Sequence, residues 1–203
     1  MVFASHFFGK SLSNGWGPFS EALKKNLRSV LQGEYDPLEF PRPARREFDI
    51  SAIEYVNTFF FDRAQDQAYL SEMKNRAEAV GVTCLLIMCD AEANLGAADA
   101  EARQQAVQNH RKWLEAAAFL GCHSIRVNAA GDGSREDQQQ QMAESLFQLA
   151  EYAQPYGLSV LVENHGGLSS DGAWFAGVMK AADHPHVGSL PDFGKFQISE
   201  QQS

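Results

Sequence analysis

A parallel α/β fold is what this sequence predicts, and three observations carry the prediction. From about residue 50 onward, short β-type runs alternate with amphipathic helical stretches at a spacing of roughly 30–35 residues. Three junctions share one local grammar: a helix stopped by glycine (Gly81, Gly121, Gly157) and followed at once by an apolar strand. The run at 82–89 is apolar on both faces, the mark of a strand covered on both sides.

The elements follow in order. Residues 49–56 read as a strand. Residues 63–80 read as a helix, with Leu70, Met73, Ala77 and Val80 at helical spacing. Strand 82–89 is next, then a long helix over about 99–120. Ala106, His110, Trp113, Leu114, Ala117 and Ala118 form its inner stripe. Strand 123–128 precedes a helix over 135–156 that turns Met142, Leu146, Leu149 and Ala153 inward. Strand 158–163, helix 170–182 with Ser169 or Ser170 as its N-cap, and strand 187–192 complete the pattern. Residues 2–8 offer a weaker sixth strand. Residues 9–43 are the least readable: Asn14-Gly-Trp-Gly-Pro18 is loop chemistry, and 19–31 is helical.

Composition bounds the function. The chain has 203 residues, a net charge of -9 and 44% hydrophobic residues, enough for one domain with a sizeable core and two at most. The acidic balance argues against nucleic-acid binding, which needs surplus Lys and Arg on one face. The longest apolar run falls far short of the roughly 20 residues a membrane helix needs, and no secretory signal opens the chain. Cys84, Cys89 and Cys122 lack C-x-x-C spacing, so a reduced, cytoplasmic setting without disulfides is expected, the three thiols acting as small buried hydrophobes. There is no G-x-S-x-G elbow, H-E-x-x-H or Walker motif. His184-Pro-His186 reads as a surface turn and 131–134 as a loop with a helix N-cap.

Strand alternation places the polar residues. In strand 158–163, Ser159, Leu161 and Glu163 share one side; in 187–192, Gly188, Leu190 and Asp192 do. Both carboxylates stand at the C-terminal end of their strand, where ligands gather in α/β folds. Neighbouring strands lie roughly 4.8 Å apart, so Glu163 and Asp192 can project side by side. Two converging carboxylates repel, and a divalent cation removes that penalty. The plainer alternative makes them capping or salt-bridged loop residues. Glycines and an imidazole beside Glu163 (Asn164-His-Gly-Gly167), and an amine beside Asp192 (Phe193-Gly-Lys195), favour a site. His165 is a candidate substrate contact. Asn128 suits a substrate hydroxyl or a turn, and Asp90 is a further mouth candidate. Arg126 lies deeper and needs a partner, for which Glu54 is the candidate.

Several segments carry a resemblance: Asp36-Pro-Leu-Glu-Phe-Pro41, Ala52-Ile-Glu-Tyr-Val-Asn-Thr-Phe-Phe60, Leu120-Gly-Cys-His-Ser-Ile-Arg-Val-Asn128, Val162-Glu-Asn-His-Gly-Gly-Leu-Ser-Ser-Asp-Gly-Ala-Trp174 and Leu190-Pro-Asp-Phe-Gly194. From about residue 28 on, the chain resembles sugar phosphate isomerases/epimerases of the xylose-isomerase-like TIM-barrel superfamily. The resemblance implies a (β/α)8 TIM barrel, incomplete, with about six of eight βα units over 28–203 and a poorly assigned segment over 1–27. It implies a divalent cation, Mn²⁺ or Mg²⁺, held by a strand 5 Glu, a strand 6 Asp, a strand 7 His and a strand 8 Glu. Glu163 and Asp192 match the first two, and Glu163 would also exchange the substrate proton. Family epimerases often carry a His three residues after that Asp, where this chain has Lys195. Lys24 and Lys25 sit where the first strand would be expected to end. A barrel of about 250 residues is expected, so a truncated product is anticipated here.

The activity so implied is isomerisation or epimerisation of a sugar, sugar phosphate or polyol by metal-assisted proton transfer next to a carbonyl. Asn128, His165 and Lys195 would hold hydroxyls or the enediolate charge. Two other classes stay open: an inactive remnant or carbohydrate-binding module, and, against the acidic charge, an endonuclease IV-like phosphodiesterase. A homo-oligomer is compatible with the sequence.

Overall fold

The structure, a computed structural model, describes residues 3–4 and 36–197. Among these, the elements run β1 (Phe3–Ala4), α1 (Pro41–Phe48), β2 (Ala52–Val56), α2 (Gln67–Ala79), β3 (Thr83–Met88), α3 (Ala100–Leu120), β4 (Ser124–Asn128), α4 (Arg135–Ala153), β5 (Ser159–Glu163), α5 (Gly172–Ala182) and β6 (Val187–Leu190). Every strand pairs in parallel with the next in chain order, giving one six-stranded sheet, β1 through β6. The expected sixth strand is present as the two residues of β1, and the predicted helix over 19–31 lies outside the described residues.

Local chemistry fixes the helix starts. Asp66, Asp99, Ser134 and Asp171 each accept a hydrogen bond from a first-turn backbone N–H. Two boundaries differ from the sequence reading for this reason. Asp171, whose carboxylate takes both Ala173 and Trp174 N–H groups, caps α5 in place of Ser169 or Ser170. Asp66 starts α2 later than expected, and the chain before it winds as a 3₁₀ segment, Asn57–Arg63. The helix α1 was not anticipated. Its prolines occupy the tolerated first turn, and Asp49 closes it in the left-handed region at φ 53°, which delays the strand to Ala52.

The two faces of the sheet differ. Ile53, Ile87, Ile125, Val127, Val160 and Val162 are fully buried under the helices, around Trp113. Phe60 meets both Tyr55 and Trp113 edge-on, at centroid distances of 6.0 and 5.3 Å. The other face carries a small apolar cluster of Val56, Leu86 and Met88 with Leu161 and Leu190. Strand register builds this inner face in layers. Glu54 stands level with Leu86, Ser124 and Ser159; Met88 with Arg126, Leu161 and Gly188; Asn128 with Glu163 and Leu190. The inner surface thus combines this apolar cluster with Arg126 in the layer of Met88, and carries Asn128 and Glu163 at the C-terminal ends of the strands. Cys84, Cys89 and Cys122 are buried and unpaired, as expected; burial raises all three thiol pKa values, Cys84 to about 11. No helix among the described residues is long and apolar enough to cross a membrane.

Candidate functional site

Glu163 ends β5 and Asp192 follows β6 by two residues. Their side chains come together at the C-terminal mouth, on either side of one ammonium. Lys195 Nζ lies 3.7 Å from Glu163 Oε1 and 3.6 Å from Asp192 Oδ2. It also lies 2.8 Å from His165 Nδ1, which is 3.3 Å from Glu163 Oε1. One ring nitrogen cannot both accept from Lys195 and donate to Glu163. Four of the five residues singled out from the sequence, Glu163, Asp192, His165 and Lys195, therefore form one cluster.

The cluster is rooted on a buried guanidinium. Arg126, 1% exposed, donates to Asp90 Oδ1 at 2.7 Å and to Asn128 Oδ1 at 3.0 Å. Its Nε lies 2.9 Å from Glu163 Oε2, close enough for ion pairing but not aligned as a hydrogen bond; neither atom has a hydrogen-bond partner. The anticipated pairing of Glu54 with Arg126 is not observed. Glu54 stands level with Leu86 and Ser124, a layer below Met88 and Arg126, while the Arg126 side chain reaches up to the layer of Asn128 and Glu163. Burial raises the Glu54 pKa against the lowering influence of Arg126.

Asn128 sits apart from the Lys195 cluster. Its amide donates to Asp90 Oδ1 at 2.9 Å and accepts from Arg126, so both ends of the side chain are engaged below the mouth. Asp90 is a mouth residue, as expected, and is buried on Arg126.

Burial pushes the Glu163 pKa up, but the nearby His165 ring and the charges of Arg126, His165 and Lys195 outweigh it and hold the carboxyl at about 2. Glu163 is therefore a firmly ionised and weakly basic carboxylate in this arrangement.

Two positioning residues escaped the sequence reading. Asn164 donates from Nδ2 to the Asp192 carbonyl at 2.8 Å and accepts the Asp192 N–H on Oδ1 at 2.7 Å. Asn57 grips the backbone of Asp90 in the same way, at 3.0 and 2.8 Å. Each asparagine follows its strand by one residue and each aspartate follows the next strand by two. The amide thus extends the ladder one rung beyond the sheet and fixes an acidic residue at the rim. The available signal was an Asn directly after a strand, paired with an Asp beyond the neighbouring strand. Gly166 and Gly167 turn the chain after His165 at φ 104° and 58°, angles that favour glycine.

The histidine turn stays a surface feature: His184 Nε2 pairs with Glu151 at 2.9 Å. Ser134 Oγ caps α4, as expected for the loop at 131–134. Among the described residues, no group of three or more His, Cys, Asp or Glu side chains is arranged to hold a metal ion. The two carboxylates expected to be metal ligands already face an ammonium, and one faces a guanidinium. As arranged, these residues do not fit a divalent cation.

The family model of the xylose isomerase-like TIM barrel matches residues 44–202. No curated protein matches the chain. Among solved structures, the chain is similar to 3-keto-D-glucoside 4-epimerase YcjR from E. coli, at 19% identity and TM-score 0.68, over 81% of this chain and 66% of that one. It is similar to D-psicose 3-epimerase from Clostridium cellulolyticum H10, at 15% identity and TM-score 0.65, over 98% of this chain and 65% of that one. A putative xylose isomerase from Rhodospirillum rubrum aligns at 15% identity and TM-score 0.69, over 81% and 63%. The chain thus spans about two thirds or slightly less of the length of these structures, and the likeness is one of fold. The strand order corresponds to six of the eight βα units of a barrel. With the family match running over most of its length, the chain belongs to the xylose isomerase-like TIM barrel family.

Proposed function

We propose that this chain carries a sugar- or polyol-binding site of the isomerase or epimerase type, working by proton transfer next to a carbonyl. The observation that supports it is the convergence of Glu163 and Asp192 on Lys195 at the mouth of the sheet. Glu163 is the proton-moving group. At a pKa of about 2 it is a poor base, but that value belongs to the state in which Lys195 faces it. A substrate oxygen that takes the ammonium for itself relieves Glu163 of one positive neighbour and raises its basicity as the carbonyl is polarised. Binding and base activation are then one event. Asp192 holds the departing ammonium near the substrate, and His165, freed from Lys195, can donate to a hydroxyl or to Glu163. Asn128 contributes through Arg126 and Asp90. Family resemblance implies Mn²⁺ or Mg²⁺, a cation that Glu163 and Asp192 as arranged do not fit. Three buried thiols suit a reducing, cytoplasmic setting.

The test is solvent-deuterium incorporation into a panel of ketoses and inososes, read by NMR, with and without added Mn²⁺ or Mg²⁺. Exchange at a carbon next to the carbonyl is expected, and Glu163→Gln should lower it at least 100-fold. Absence of exchange under every condition would overturn the enzymatic reading. It would favour the non-catalytic sugar-binding alternative, which the weak basicity of Glu163 already supports.

A further inference from the structure

We infer that Lys195 is a tethered cation: its ammonium stands where a divalent ion would have to bind between Glu163 and Asp192, and such an ion enters only by displacing it. This goes beyond the isomerase reading and holds whether or not the chain turns over a sugar.

The placement is built into the turn. Asn164 clamps the backbone of Asp192 from both sides. From there Lys195 N–H donates to the Asp192 carbonyl at 3.1 Å and Gly194 N–H donates to Asp192 Oδ1 at 2.9 Å. The tight turn returns the lysine side chain over its own aspartate, three residues back, and onto the end of β5. There the ammonium lies within ion-pair distance of Glu163 Oε1 and Asp192 Oδ2 and within hydrogen-bond distance of His165 Nδ1.

Charge and space lead to the same conclusion. Lys195 faces both carboxylates and Arg126, shared with Asp90, faces Glu163, so much of the pair's charge is already offset without a metal. A hard divalent ion needs carboxylate oxygens at about 2.0–2.6 Å. The ammonium stands 3.7 and 3.6 Å from Oε1 and Oδ2, so an ion bound to both oxygens would crowd against it. A divalent ion added beside Lys195 would meet its repulsion, and among the described residues no group of three or more His, Cys, Asp or Glu side chains is arranged to hold it.

The experiment titrates Mn²⁺ into the full 203-residue chain by calorimetry, without sugar. Wild type should bind weakly. Lys195→Ala should bind at least tenfold more tightly, about 1.4 kcal/mol, and Mn²⁺ should raise its Tm while leaving the wild-type Tm unchanged. Lys195→Arg, which keeps the charge, should stay weak, and Lys195→Ala combined with Glu163→Gln should lose the gain. Equal affinity in wild type and Lys195→Ala, whether tight or undetectable, would overturn the inference, as would Lys195→Arg behaving like Lys195→Ala. Because no turnover is measured, failure here is separate from failure of the deuterium exchange.

Discussion

Replacing Arg126 with methionine should cost the fold about 3–5 kcal/mol, because it removes one cation from two buried carboxylates. The arginine side chain is 1% exposed, against 8% for Asp90 and 11% for Glu163. Removing one partner of a buried pair typically costs about 3–5 kcal/mol, since the charge left behind is neither solvated nor matched. Methionine fills much of the volume, so little of the loss is a cavity term. In a domain of this size each kcal/mol moves Tm by about 2–4 °C, so the shift should be roughly 6–20 °C. Urea unfolding at pH 7 and pH 4.5 gives the sharper readout. In the wild type, Glu163 has a folded-state pKa near 2, below its ordinary value of 4.5. Its contribution is therefore present above 4.5 and is lost as pH falls from 4.5 through 2. Without Arg126 that carboxyl rises and accepts a proton more readily, so the gap between mutant and wild type should narrow on acidification. A loss under 1 kcal/mol at pH 7, or a gap unchanged at pH 4.5, would refute the reasoning.

Three further outcomes follow from the same structure. Burial holds the His110 ring neutral with a pKa of about 4, below the ordinary 6.5, so stability present above pH 6.5 is lost as pH falls toward 4. The loss is about 3 kcal/mol, and His110→Phe should flatten that limb of the stability-versus-pH curve. Asn164→Ala leaves the Asp192 N–H and carbonyl unpaired and should destabilise by about 1–3 kcal/mol for each backbone group left without a partner, while abolishing carbodiimide coupling of Lys195 if Asp192 drifts. A methyl at Gly131 would come within 2.1 Å of the Gly96 carbonyl oxygen, so Gly131→Ala should lower stability by about 1–3 kcal/mol in urea melts, whereas Gly81→Ala meets no such neighbour and strains only the backbone.

The fold was legible wherever periodicity and glycine stops coincided. Strands β3, β4 and β5 lie within a residue of their predicted limits because each follows a helix that a glycine terminates in the left-handed region. Legibility failed where a side chain decided the local geometry. Asp49 and Asp66 shifted two element starts, and no apolar period announces a short helix that opens with Pro41 and Pro43. At the site, strand alternation was enough to put Glu163 at the end of β5 and Arg126 in the interior, whereas β6 stops at Leu190, short of the expected 192, and Asn164 holds Asp192 beyond it. Choosing the partner of Arg126 required the register between strands and the direction its long side chain takes. The sequence marks Lys195 as a site amine beside Asp192, but only the three-dimensional return of its turn brings it onto Glu163 at the end of β5 as well.

The central claim is that two carboxylates from adjacent strands close on one ammonium. Zero-length carbodiimide coupling followed by peptide mass spectrometry tests it most directly, since it joins an amine and a carboxylate only when they touch. The expected product is an isopeptide between Lys195 and Glu163, absent in Glu163→Gln. Its absence from the wild type, under conditions that couple Lys112 to Glu92 at their 2.9 Å separation, would contradict the account.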